Sequence, residues 1–128
     1  MAFATGNTYL PGYVMPMGDK NFIVFDHTGP ASYTQFSSPT TGGDVVNAAD
    51  LNQGGFDYID TTTDTTGQIV AYAIFSLGGW GNAVPKVIIA YFSLVTATVG
   101  GQAQTLGAQV AAATNLSTFS FRFKAICV

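Results

Sequence analysis

The 128-residue sequence predicts an all-β fold: a single-domain antiparallel β-sandwich or barrel carrying an extended N-terminal arm. Three observations lead there. The C-terminal stretch alternates, with Phe119, Phe121, Phe123 and Ala125 on one parity and Thr118, Ser120, Arg122 and Lys124 on the other, which is the period of a strand with one face buried. Two longer runs, Gln68 to Ser76 and Lys86 to Val95, are rich in the β-branched and aromatic residues that fit a pleated surface. The intervening segments are short and punctuated by Gly, Thr and Pro, as turns between strands are.

In chain order, residues 1–20 form the arm, and residues 21–128 the sandwich or barrel domain. Gly6, Pro11, Gly12, Pro16 and Gly18 oppose both helix and central strand, while Phe3, Tyr9 and Tyr13 supply apolar surface for docking. Asn21 to Phe25 is a short strand stopped by Asp26-His27-Thr28-Gly29-Pro30. Tyr33 to Phe36 is a second short strand, and Ser37 to Asp44 a turn. Asn47 to Leu51 forms one helical turn, capped by Asn47 and ended by Gly54-Gly55. Phe56 to Asp60 is the next strand and Thr61 to Gly67 a polar loop. Gln109 to Ala113 is the one other place for a helical turn.

The two apolar runs are apolar on both parities: Ile69, Ala71, Ala73 and Phe75 on one, Val70, Tyr72 and Ile74 on the other. A sheet with one wet face alternates. These strands are therefore expected to be covered on both faces, by a second layer or by another subunit.

Composition narrows the function classes. Only 9% of residues are charged, against 48% hydrophobic. A typical soluble domain carries about 25% charge, so Thr, Ser, Asn, Gln and Gly must form most of this surface, and little electrostatic repulsion keeps copies apart. The net charge is -3, all seven acidic residues are Asp, and the four basic residues Lys20, Lys86, Arg122 and Lys124 form no patch for phosphates. Nucleic acid is not expected as a partner. Nor is a membrane, because Val87 to Val95 is far short of the roughly 20 apolar residues that span a bilayer. The N-terminus shows no signal-peptide pattern, so synthesis in the cytoplasm without classical export is expected.

No constellation of residues points to catalysis, a cofactor or a metal, and an enzyme is not expected. His27 is the only histidine, its neighbour Asp26 falls on the opposite side of the strand, and no G-x-S-x-G turn is present. Cys127, the only cysteine, continues the Phe119–Phe123 face and reads as a small buried apolar residue. Asp57, Asp60 and Asp64 lie close in sequence, but their spacing fits no calcium loop. Gly78-Gly79-Trp80-Gly81 lacks the Lys and helix of a phosphate loop. Trp80 is either packed on the sheet or exposed as an interface anchor, a role in which Trp is enriched. Phe3, Tyr9, Tyr13 and Trp80 are thus the candidate interface residues.

The second half carries blocks with a family resemblance. Thr40-Thr41-Gly42-Gly43-Asp44 precedes a short Ala/Leu segment, then comes an aromatic strand ending Asp57-Tyr58-Ile59. The chain closes with Ala113-Thr114-Asn115-Leu116-Ser117-Thr118 and Phe119-Ser120-Phe121-Arg122-Phe123-Lys124-Ala125. In these blocks the chain resembles small tailed-phage virion proteins encoded near the major capsid protein. The resemblance implies a capsid decoration or cement protein on the virion surface, made in the host cytoplasm and bound to the major capsid protein. It implies no catalytic residues. A cyclic homo-oligomer, with a trimer favoured, suits that role. A tail, fibre or baseplate component and a small carbohydrate-binding sandwich remain the alternatives.

Overall fold

A computed structural model describes residues 7–37, 41–75 and 83–128, with the backbone alone for 7–14. Among these residues, ten strands form three antiparallel sheets. In chain order they are β1 (Asn7–Met17), β2 (Lys20–Thr28), β3 (Asp44–Asn47), β4 (Phe56–Ile59), β5 (Thr62–Thr63), β6 (Ile69–Phe75), β7 (Lys86–Ser93), β8 (Thr98–Val99), β9 (Gln102–Ala103) and β10 (Ser120–Cys127). The first sheet has the order β1-β2-β10-β4, the second β3-β7-β6-β5, and β8-β9 is a small separate ribbon. Isolated bridges, Asp64 with Phe121 and Phe56 with Val84, tie segments together without closing a barrel. The result is sandwich-like and all-β, as the periodicities predict.

The core lies between the two large sheets. β10 delivers its alternation as expected: Phe121, Phe123, Ala125 and Cys127 are buried, and Phe123 stacks on Phe25 of β2 at 5.5 Å. The second sheet answers with Val46, Ile69, Ala71, Val87, Ile89 and Tyr91. These residues share one parity on each paired strand, because in-register antiparallel pairing puts opposed side chains on the same face.

Several segments depart from the sequence expectation, each for an identifiable reason. Within the segment expected as an arm, Asn7–Met17 is an edge strand on this chain's own β2. Pro and Gly are tolerated there because an edge strand has one unpaired side and because the register shifts between Tyr9 and Val14, the gap that holds Pro11 and Gly12. Tyr33 to Phe36 is not a strand. Its backbone is satisfied piecemeal: Tyr33 N–H donates to Thr114 O, and the Gln109 amide takes the place of a neighbouring strand, accepting from Phe36 N–H (2.6 Å) and donating to Phe36 O (3.0 Å).

Gln109 to Ala113 is likewise not helical; Gln109 bridges to Phe92, and Ala113 turns with φ 66°. The expected helical turn is a 3-10 turn at Ala48–Leu51. Asn47 precedes it in extended conformation without a side-chain cap, and left-handed Asn52, not Gly54-Gly55, ends it. Asn adopts this conformation more readily than other side-chain-bearing residues.

Candidate functional site

The chemistry-bearing side chains do not meet where the sequence places them side by side. Asp57 pairs with Lys20 at 2.7 Å, and Asp60 Oδ1 accepts the Lys124 N–H at 2.9 Å. Asp64 is consumed by its own loop. Its Oδ1 accepts from Gln68 N–H and Ile69 N–H, and its Oδ2 from the Thr66 N–H and hydroxyl. Among the described residues, no three His, Cys, Asp or Glu side chains gather as a metal-holding group. Cys127 is fully buried, and burial, aided by the Asp57 charge, pushes its thiol up to about 12.

Of the candidate interface residues, Phe3 and Trp80 lie outside the described residues, and Tyr9 and Tyr13 are described only as backbone positions of β1. The surface that the structure does describe as apolar is elsewhere: the outward face of the second sheet. Registers place Val45, Ile88 and Ile74 in one row, Ala90 and Tyr72 in the next, and Phe92, Val70 and Thr63 in a third.

β7 is covered on this face as well as on the core face, with Ile88 and Ala90 both buried. The chain around Phe36 and Gly43 supplies part of that cover, running close enough that a Cβ at Gly43 would stand 2.3 Å from Ile88 Cγ2. Cover on both faces, by a second layer or another subunit, was expected for β6 as well; the described residues of this chain do not supply it, and Tyr72 is 51% exposed while Val70 and Ile74 are half-buried. Val45 on the edge strand is 43% exposed.

The outward face of the first sheet is built differently. One row is apolar, formed by Met15, Phe22, Ile126 and Tyr58. Beyond it come ions: Asp26 holds Arg122 through two nitrogens at 2.8 and 3.1 Å, and Lys124 and Asp60 adjoin. Charge pairs of this kind are at home in solvent. The three rows on the second sheet contain no ionisable group other than the Tyr72 phenol, and Lys86 stands only at their end.

At one end of the sandwich the two sheets are joined by a polar tie. His27 of β2 is inward-facing and 3% exposed; its Nε2–H donates to Asp44 Oδ2 of β3 at 2.6 Å. The Tyr91 hydroxyl of β7 donates to the same oxygen at 2.7 Å, and burial together with the Asp44 charge holds that phenol far above its ordinary pKa. Tyr33 packs edge-on against Tyr91, accepts the Tyr91 N–H and donates to Gln109 Oε1.

The carboxylate that engages His27 is thus Asp44, 17 residues away, while Asp26 points to the other face, as its parity requires. A cleft of about 450 Å³ opens beside the tie, lined by His27, Thr28, Gly29, Pro30, Ala31, Asp44 and Ser117. Sequence reasoning missed Asp44 and Ser117 because nothing local relates them to His27. Comparison with family models, with curated proteins and with solved structures finds no match to this chain.

Proposed function

We propose that the chain is a non-enzymatic structural subunit that acts by docking on protein surfaces, in the setting of a phage head as a decoration or cement protein. One observation carries the docking reading: the outward face of β6, apolar on the residues that an ordinary sheet would make polar, is exposed in the single chain. Burying Tyr72, Val70, Ile74 and Val45 against a partner would complete the two-sided cover that their sequence calls for.

Size decides how such a face could work. Four strands at about 4.8 Å spacing and four residues of rise give on the order of 300 Å², an upper bound on the patch because β7 is already covered. A stable two-body interface needs about 800 Å² per partner. One copy would therefore hold weakly, and many copies engaged together on a regular shell would hold strongly. The phage setting rests on the sequence resemblance alone, with the major capsid protein as the partner it implies and a closed cyclic oligomer, a trimer, as the form that would supply multivalency.

The test combines stoichiometry with a surface variant. Quantitative mass spectrometry of particles from the source should give one copy per shell subunit or a simple fraction of it. A handful of copies per particle would assign the chain to the tail or baseplate instead, and absence would overturn the virion reading. Val45→Lys/Tyr72→Lys, at two exposed positions, should leave the strand circular dichroism intact and reduce particle binding at least tenfold. Full coating by this variant would refute the docking face.

A further inference from the structure

The cleft beside the His27–Asp44–Tyr91 tie is lined by none of the residues of the docking face. We infer that it is a binding site for an alkylammonium group carried on a short apolar stem, with the Asp44 carboxylate as its anchor.

The inference begins with the accounting of Asp44. Both hydrogen bonds made by its side chain, from His27 and from Tyr91, fall on Oδ2. Oδ1 takes none from the described residues, the side chain is 18% exposed, and Asp44 is part of the cleft lining. A carboxylate can accept about four hydrogen bonds, and the described residues supply two of them. The tie fixes the carboxylate in place, so a ligand would not have to order it.

The rest of the lining selects the ligand. Pro30 and Ala31 are apolar, and Gly29 brings backbone close without a side chain. A Cβ at Gly29 would stand 2.6 Å from Leu116, so this wall is held tight. Ser117 donates its hydroxyl proton to Asn115 Oδ1, so its oxygen keeps its capacity as an acceptor. Among the described residues, no Lys or Arg lines the cleft.

An acceptor-rich floor with apolar walls suits a group with several N–H donors, a positive charge and a hydrocarbon stem; it disfavours carboxylates and phosphates. A partly enclosed site also raises the effect of the charge pair above that of an exposed one, because less water screens it. The volume lies within the range of small-molecule sites and exceeds what a lysine side chain needs. The same ammonium chemistry is offered by a free amine and by a lysine side chain, and the experiment separates these sources.

The folded full-length protein, isotope-labelled, is titrated at constant ionic strength with n-butylammonium, n-butanol, n-butyrate and the blocked peptide acetyl-Ala-Lys-Ala-amide. The amide signals of Ala31 and Ser117 and the His27 ring protons are followed by NMR. Butylammonium should give saturable shifts with a dissociation constant on the order of 1–10 mM, appropriate for so few heavy atoms, and at least tenfold tighter than butanol or butyrate. Peptide binding at least as tight as the amine would identify a lysine side chain as the ligand; amine binding without peptide binding would identify a free amine.

Ala31→Phe, at an exposed position on the rim, should abolish the shifts while the fold is retained. Asp44→Asn, if folded, should weaken butylammonium tenfold and leave butanol unchanged. Absence of a saturable shift at 100 mM, an equal response to butanol or butyrate, or wild-type binding by Ala31→Phe would overturn the assignment.

Discussion

Asp64→Ala tests how far the second sheet depends on one buried carboxylate. Asp64 is 4% exposed and closes the turn between β5 and β6 with four accepted hydrogen bonds. Burial raises the carboxyl pKa, but the bonds from Thr66, Ile69 and Gln68 outweigh that and hold it below the usual 3.8. Removing the carboxylate affects its donors unequally. Ile69 is fully buried, so its N–H would be left without a partner, at about 1–3 kcal/mol. The Thr66 and Gln68 groups can turn to water, and together lose about 1–2 kcal/mol.

The expected total is about 2–5 kcal/mol, a large share of the roughly 5–15 kcal/mol that holds a domain folded. With an unfolding entropy of about 0.27 kcal/mol/K for a chain of this length, the Tm should fall by roughly 7–19 °C. The sign with pH follows from the depressed folded-state pKa. The contribution is fully present above the unfolded value near 3.8 and is lost as pH falls through the lower folded value. Urea unfolding followed by circular dichroism should therefore show a wide gap between wild type and Asp64→Ala at pH 7, and a narrower one below pH 3.8. A loss under about 1 kcal/mol at pH 7, or a gap that does not shrink in acid, would refute the hydrogen-bond reasoning.

Three further outcomes are expected. Phe123→Ala removes a fully buried ring stacked on Phe25 and should cost about 3–5 kcal/mol by denaturant melt. Gly42→Ala places a Cβ 1.9 Å from the Gln35 carbonyl oxygen at a φ of 76°, so it should destabilise by at least about 3 kcal/mol; an unchanged Tm would show that the chain over β7 moves freely. Cys127, with its thiol pushed up to about 12, should resist thiol reagents at pH 8 in the folded protein and react at the rate of unfolding.

The strands that formed as read are those whose signal is local. β10 alternates because one of its faces meets the core, and β6 and β7 carry unbroken β-branched runs; such patterns are visible in a window of eight residues. The misread segments take their partners from far away. Tyr33 to Phe36 looks like a strand, yet its neighbour is the side chain of Gln109, more than 70 residues on. The His27 site was illegible for the same reason. Strand parity turns the neighbouring carboxylate, Asp26, away from the ring, and the one that engages it is Asp44 on the other sheet.

By itself, then, the sequence determined the class of fold, the inward face of β10, the burial of Cys127 and the scarcity of surface charge, because composition and period are properties of the chain. Strand order, the edge-strand fate of Asn7–Met17, the exposure of β6 against the cover of β7, and the cleft beside Asp44 were decided only by tertiary structure. Each depends on which strand lies beside which and on what crosses a face, and the insertion of β10 between β2 and β4 is set by long-range pairing that no local period encodes.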